Sequence, residues 1–180
     1  MAQAAKISLE RRVAHGGGKG GFPAAWFAAL WARLESGDNA YAHIANLLSR
    51  TSAVSLLNGG GKFQIDANLG ATAAIAEMLL QSHADEIAIL PALPAAWAEG
   101  GFNGLRARGN LEVDAQWSGG RLTLARLRPA AGAEQRLRPP RNQRITRITC
   151  RGREVGFKTE NDGVCLIRLQ PQEEYTIACQ

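Results

Sequence analysis

The residues best suited to chemistry are Asp66 and Asn68, in the run Phe63-Gln64-Ile65-Asp66-Ala67-Asn68-Leu69-Gly70. A mainly apolar stretch from Ala71 to His83 follows at once. The pattern puts a carboxylate and an amide on a glycine-flanked loop in front of a helix, where a rigid element can aim polar side chains without burying the loop. The bland alternative makes Asp66 a loop aspartate that accepts backbone N–H bonds ahead of that helix. Asn68 or Thr72 is the expected cap.

Other reactive residue types carry less. Trp26, Trp31, Trp97 and Trp117 are the aromatic rings on which a sugar could stack, but Trp26 falls on an expected buried stripe and Trp117 on the inner face of an expected hairpin, so core packing is the simpler reading. His15 and His43 show no metal-ligand spacing, and neither a metal nor a cofactor is expected. Gly16-Gly17-Gly18 and Gly59-Gly60-Gly61 have no preceding strand and no Lys-Ser or Lys-Thr in register, so they read as connectors and not phosphate loops. Cys150, Cys165 and Cys179 match no zinc or redox motif and read as reduced strand residues.

The elements that must position these residues fall into two groups, an α+β arrangement. Residues 1–84 read as helices. Phe22, Trp26, Leu30 and Leu34 recur every four residues, with Pro23 in the first turn and Gly37 as the expected stop. A second helix after Asp38-Asn39 carries Ile44, Leu47 and Leu48 on one stripe. The third, about Ala71 to Ser82, is apolar nearly all round and is expected to be buried on most sides.

Residues 85–180 read as strands. Glu86 to Leu90 is a short apolar strand, and Pro91, Pro94 and Gly100-Gly101 punctuate the stretch after it. Asn110 to Trp117 alternates faces, turns at Ser118-Gly119-Gly120 and returns through Leu122 and Leu124, as a hairpin does. Arg144 to Thr149, Val164 to Leu169 and Tyr175 to Cys179 add further strands, separated by turns such as Asn161-Asp162-Gly163. Together they predict a small antiparallel β-sandwich.

The net charge of +5 is uneven. Nine arginines fall between Arg126 and Arg153 with Glu134 the sole acid among them. Such a patch is one way to hold a polyanion. Against it, the stretch has no aromatic residue to stack on a base, and Pro129, Gly132, Pro139 and Pro140 mark it as a solvated loop, so nucleic acid is not the expected partner. No apolar run reaches the roughly 18 to 20 residues that span a bilayer, so no membrane role is expected. The first residues carry no signal-peptide core, which makes the cytoplasm the default location.

Four ordered segments resemble glycoside hydrolase family 95, the α-L-fucosidase family. Phe63 to Gly70 is similar to its Phe-Gln-Ile-Asp-Gly-Asn-Phe-Gly. Trp26 with Leu30-Trp31-Ala32-Arg33-Leu34 resembles its Ala-Trp…Leu-Trp-Ala-Arg-Leu helix. Leu90 to Trp97 resembles its Leu-Leu-Pro-Ala-Leu-Pro-x-x-Trp, and Gly104 to Gly109 its Gly-Leu-Arg-Ala-Arg-Gly. The resemblance implies that the helices are the last of an (α/α)6 barrel that carries catalysis and that the strands are the family's C-terminal β-domain. It also implies inverting hydrolysis of an α-L-fucoside, with a fucosylated oligosaccharide as partner.

Inverting chemistry needs a carboxylic acid on one face of the sugar and a water-activating carboxylate on the other, roughly 6.5 to 9.5 Å apart. Asp66 matches the family's base-side aspartate, with Asn68 and Trp26 as the accompanying sugar contacts. The matching acid and the water-holding asparagines lie upstream of the segments found here. Lys19 replaces one family histidine, and Gly60-Gly61-Lys62 stands where the family has His-Pro-Pro. Glu77 and His83 are poor substitutes, one inside a helix and the other at its end where a cation suits the macrodipole. The expectation is therefore a family 95 portion that is inactive alone. The alternatives are a glycan-binding or scaffolding β-domain and a polyanion binder. Helices lacking barrel neighbours would leave apolar faces open to self-association.

Overall fold

Alanine dictates how the helices pack. The computed structural model describes residues 1–50, 55, 57–59 and 63–180. Four helices come first: α1 (Ala2–Ala14), α2 (Gly21–Arg33), α3 (Gly37–Arg50) and α4 (Ile65–Leu79). Ala24, Ala25 and Ala28 of α2, Ile44 and Leu47 of α3, and Ala67, Ala71 and Ala74 of α4 form one buried cluster. Side chains this small let the backbones close in: a Cβ on Gly70 would lie only 3.1 Å from that of Ala25.

This packing overturns the expected inner stripe of α2. Phe22 is 42% and Trp26 46% exposed, and Leu30 and Leu34 are half-buried. The helix is apolar on nearly every side, so a period of four marks only one of its two apolar faces. The alanine face, with Phe27 and Trp31, is the one that goes inward. Leu48, expected beside Ile44 and Leu47, is likewise exposed.

Gly37 does not stop α2; it opens α3, where a Cβ would come within 2.5 Å of the Ala92 carbonyl oxygen. The left-handed residue that ends α2 is Glu35, at φ 54°. The N–H groups of Glu35 and Ser36 donate to the Ala32 and Trp31 carbonyls, each at 2.9 Å, as a Schellman closure requires.

Helix α4 starts at Ile65, earlier than the expected Ala71, so Asp66 and Asn68 stand on a helix and not on a loop. Its first turn closes through the Ala67 N–H to the Gln64 carbonyl at 3.0 Å. Thr72 is no cap, since its hydroxyl donates back to the Asn68 carbonyl inside the helix at 3.1 Å. Burial on most sides is also not found. Ala67, Ala71, Ala74 and Met78 go inward along one stripe, while Ile65 and Leu69 are 52% and 66% exposed.

The chain divides into two compact units, Met1–Met78 with Ala92–Pro94, and Leu79–Pro91 with Ala95–Gln180. The second holds β1 (Leu80–Gln81), β2 (Ile87–Ile89), β3 (Gly100–Ala107), β4 (Leu111–Ser118), β5 (Arg121–Pro129), β6 (Ala133–Arg138), β7 (Ile145–Cys150), β8 (Arg153–Glu154), β9 (Lys158–Thr159), β10 (Cys165–Leu169) and β11 (Tyr175–Cys179). They form a five-stranded sheet, β1-β2-β6-β10-β9, and a six-stranded sheet, β3-β4-β5-β11-β7-β8. The α+β class and the sandwich are as expected. The departure from an antiparallel pattern is β2 beside β6, which run parallel.

The large core belongs to this unit. Leu111, Val113, Leu127, Ile148 and Ile177 of one sheet, and Leu137, Ile167 and Leu169 of the other, are at most 2% exposed. The expected hairpin is β4–β5, with Ser118 opposite Arg121 and both Gly119 and Gly120 at positive φ, as a two-residue turn of that hand demands.

Gly100-Gly101 is not punctuation but the start of β3, where a Cβ on Gly100 would sit 2.3 Å from the Trp117 ring. Trp117 is buried as expected, and its indole N–H donates to the Trp97 carbonyl at 2.7 Å. Gly104, at φ 75°, lies in a bulge of β3 and donates its N–H to Asp114 Oδ1 at 2.8 Å.

The stretch expected to be an arginine-rich loop contains β6. Only Leu137 of that strand is buried, so the apolar alternation that marks a strand was too faint to show.

All three cysteines are free, Cys165 buried and the others half-buried. Burial pushes each thiol up, that of Cys179 to about 11 with the neighbouring Cys165 adding to it. No described helix is long and apolar enough to cross a membrane.

Candidate functional site

Helix geometry separates Asp66 from Asn68. Residues two apart on a helix point to different sides, whereas residues four apart share one. Asp66 is exposed, and no hydrogen bond or ion pair joins its carboxylate to another described residue. Asn68 is half-buried, and its Oδ1 accepts the Asn58 N–H at 3.0 Å. Gln64, on the same side as Asn68, accepts the Phe22 N–H at 2.9 Å through Oε1.

That last bond carries Trp26 toward the same neighbourhood. Phe22 is in the first turn of α2, and its ring lies nearly parallel to that of Trp26, with an interplanar angle of 7° and centroids 6.1 Å apart. Trp26 in turn meets Phe27 edge-on at 5.9 Å. It also lines a groove of about 350 Å³ with Leu9, Arg12, Phe27, Leu30 and Leu34. The Gln64–Phe22 bond ties the start of α4 to the start of α2; Asp66 is exposed on α4, and the Phe22–Trp26 pair is exposed on α2. An apolar face with few polar groups is the usual make-up of a small-molecule site.

The proposed substitutes are accounted for otherwise. Glu77 takes a two-point ion pair from Arg33, at 2.6 and 2.7 Å, so its carboxylate is engaged. His83 lies four residues past the last residue of α4, not at the expected helix end. Lys19 is exposed on the glycine-rich turn after α1. His43 holds that turn through Nδ1 to the Gly18 carbonyl at 3.3 Å and sits edge-on to Phe27, and burial pushes its imidazole below the ordinary value despite the Gly18 bond. Gly60, Gly61 and Lys62 lie outside the described residues.

At least five of the nine arginines from Arg126 to Arg153 meet carboxylates brought from elsewhere in the chain, Arg126 among them through Glu174 at 3.7 Å. Arg128 meets Asp114 at 2.6 Å, Glu112 at 2.8 Å and Glu174 at 3.1 Å. Arg136 pairs with Glu160 at 2.8 Å, Arg138 with Glu86 and with Asp162 at 3.0 Å, and Arg151 with Glu173. Burial pushes the Asp114 carboxyl up, but the Arg128 hydrogen bond, the Gly104 N–H and the charges of Arg128 and Arg126 together hold it below its ordinary value. Carboxylates at these positions cancel much of the positive field a polyanion would need.

Sequence reasoning missed Gln64, Asn58 and Gly21 as partners of this region. Gln64 stood in the run around Asp66, but only the fold reveals that it reaches α2.

Against known proteins, residues 1–79 match the family model described as "Glycosyl hydrolase family 95 catalytic domain". Residues 81–177 match "Glycoside hydrolase family 95, C-terminal domain". The two stretches therefore correspond to catalytic-domain and C-terminal-domain parts of a glycoside hydrolase. The chain belongs to glycoside hydrolase family 95.

Among curated relatives, "Alpha-L-fucosidase 2" of Arabidopsis thaliana is 39% identical over 134 residues, covering 68% of this chain and 16% of the relative. "Probable alpha-fucosidase A" of Aspergillus oryzae is 36% identical over 114 residues, covering 54% of this chain and 16% of the relative. The chain thus spans about a sixth of the length of these relatives. Among solved structures, a family 39 glycoside hydrolase from Bacteroides cellulosilyticus WH2 has a TM-score of 0.33 at 14% identity, covering 84% of this chain and 30% of that one. The GH127 β-L-arabinofuranosidase of Geobacillus stearothermophilus T6 has 0.37 at 15%, covering 87% and 28%. Neither likeness is close enough to carry an argument.

Proposed function

We propose that this chain supplies part of an inverting α-L-fucoside hydrolase site, with Asp66 as the carboxylate that activates water. One observation carries the reading. The family's catalytic-domain model runs through Asp66, and that carboxylate is open to solvent and joined to no other described residue. In this reading Trp26 and its partner Phe22 offer the apolar face of the sugar a ring to rest on, and Asn68 lies beside the carboxylate's turn. The fucosidase names of the curated relatives support an α-L-fucosyl substrate. Residues 1–84 would be the closing helices of an (α/α)6 toroid, and residues 85–180 the family's C-terminal β-domain.

By itself the polypeptide is proposed to be inactive. Hydrolysis with inversion needs an acid across the sugar from the base, and Glu77, the candidate on the same helix, is occupied by Arg33. The purified chain is expected to release no chromophore from an aryl α-L-fucoside. Turnover that Asp66→Asn abolishes would overturn the inactivity and keep the role of Asp66. Turnover untouched by Asp66→Asn would overturn the assignment of Asp66.

A further inference from the structure

Helix α2 has a cap problem that another segment solves. Its N-cap residue is Gly20, which has no side chain to accept the free N–H groups of the first turn. The Phe22 N–H is one of them, and it is satisfied by Gln64 Oε1. Four residues on, on the same side of α4, Asn68 Oδ1 takes the Asn58 N–H. Asn58 is 4% exposed, so its polar groups need partners within the protein. Gly21 completes the cluster: a Cβ there would lie 2.3 Å from Gln64 Oε1 and 2.9 Å from Asn58 Nδ2. Only a residue without a side chain admits both amides at that approach.

We infer that Gln64 and Asn68 are positioning residues, a two-point clamp that fixes the first turn of α4 and so the direction in which Asp66 points. The inference rests on the reading of Asp66 given above and deepens it. Two accepting oxygens four residues apart hold one side of the turn, one to the start of α2 and one to the segment at Asn58. Asp66 lies between them in sequence and on the other side of the helix, so the clamp orients it without touching it. Asn68 is then engaged on the protein side, with its accepting oxygen turned away from any sugar.

The test is made by NMR on the full chain without sugar, so it stands or falls separately from any hydrolase assay. Gln64→Met keeps length and loses the acceptor. It is expected to speed amide exchange at Phe22 about five- to tenfold, the share of one hydrogen bond. It is also expected to change the Asp66 N–H residual dipolar coupling while those of Ala74 and Met78 stay fixed. Gln64→Glu, which retains an accepting oxygen, restores both. Asn68→Leu does the same at Asn58, and Asn68→Asp restores it, which covers the case in which one variant fails to fold. An Asp66 coupling that stays unchanged in both Gln64→Met and Asn68→Leu overturns the clamp. So does failure of both conservative variants to restore it.

Discussion

The two units spend their apolar residues in opposite ways. Every large hydrophobic residue found exposed, from Met1, Phe22 and Trp26 to Phe63, Ile65 and Leu69, lies in the first 69 residues. Of the largest fully buried side chains, all but Leu47 and Met78 lie in the β unit. The β unit therefore encloses a large core of its own, while the helical unit packs much of its interior on alanine and leaves several bulky residues exposed. Burial of large side chains dominates stability, and open apolar surface marks a place for contact. One half is built to hold together and the other to be covered.

The largest effect that bears on this contrast is in the β core. Leu127→Ala should cost about 2 to 5 kcal/mol in urea unfolding. Leu69→Ala, on the open face of α4, should stay within about 0.5 kcal/mol. Equal losses would erase the distinction. Next is Asp114, where alanine leaves the Gly104 N–H without its acceptor and takes from Arg128 one of three carboxylate partners, and should cost about 1 to 3 kcal/mol.

The same carboxyl gives the contrast a pH dependence. Its folded value lies below the ordinary 3.8 of the unfolded chain, so its contribution is complete above that value and fades as pH falls below it. In acid unfolding, Asp114→Asn should flatten that final decline.

Association sharpens the comparison from the other side. Leu69→Lys should lower any concentration-dependent rise in sedimentation coefficient, whereas Thr123→Lys on the exposed face of β5 should leave it unchanged. Glu77→Gln, which removes half of a surface ion pair, should cost no more than about 1 kcal/mol, and less in high salt. The smallest effect is expected on a heparin column. Arg128, Arg136, Arg138 and Arg151 are met by Asp114, Glu112, Glu160, Glu86, Asp162 and Glu173, so the chain should elute at low salt.

The sequence was most readable where local signals agree. Turn glycines and strict alternation set out the β4–β5 hairpin, and four ordered family segments pointed to the right relatives. It was least readable where the choice depends on partners far along the chain. Both faces of α2 are apolar, so nothing local says that Ala24 and Ala28 go inward and Trp26 outward. Gly37 looked like a stop because its true constraint, the Ala92 carbonyl, is remote in sequence. Asp66 looked like a loop residue because Asn68 and Gly70 are poor helix formers, yet bonds to Phe22 and Asn58 hold their turn. The acids that neutralise the arginines are likewise scattered through the chain.

The sulfur atoms have a practical corollary. Thiol-directed reagents attack the deprotonated form, and all three native cysteines hold their protons more firmly than a free thiol. A cysteine installed at exposed Leu69 would outpace them at neutral pH. A fluorophore or spin label could thus be placed beside Asp66 without first stripping the native residues from the strands.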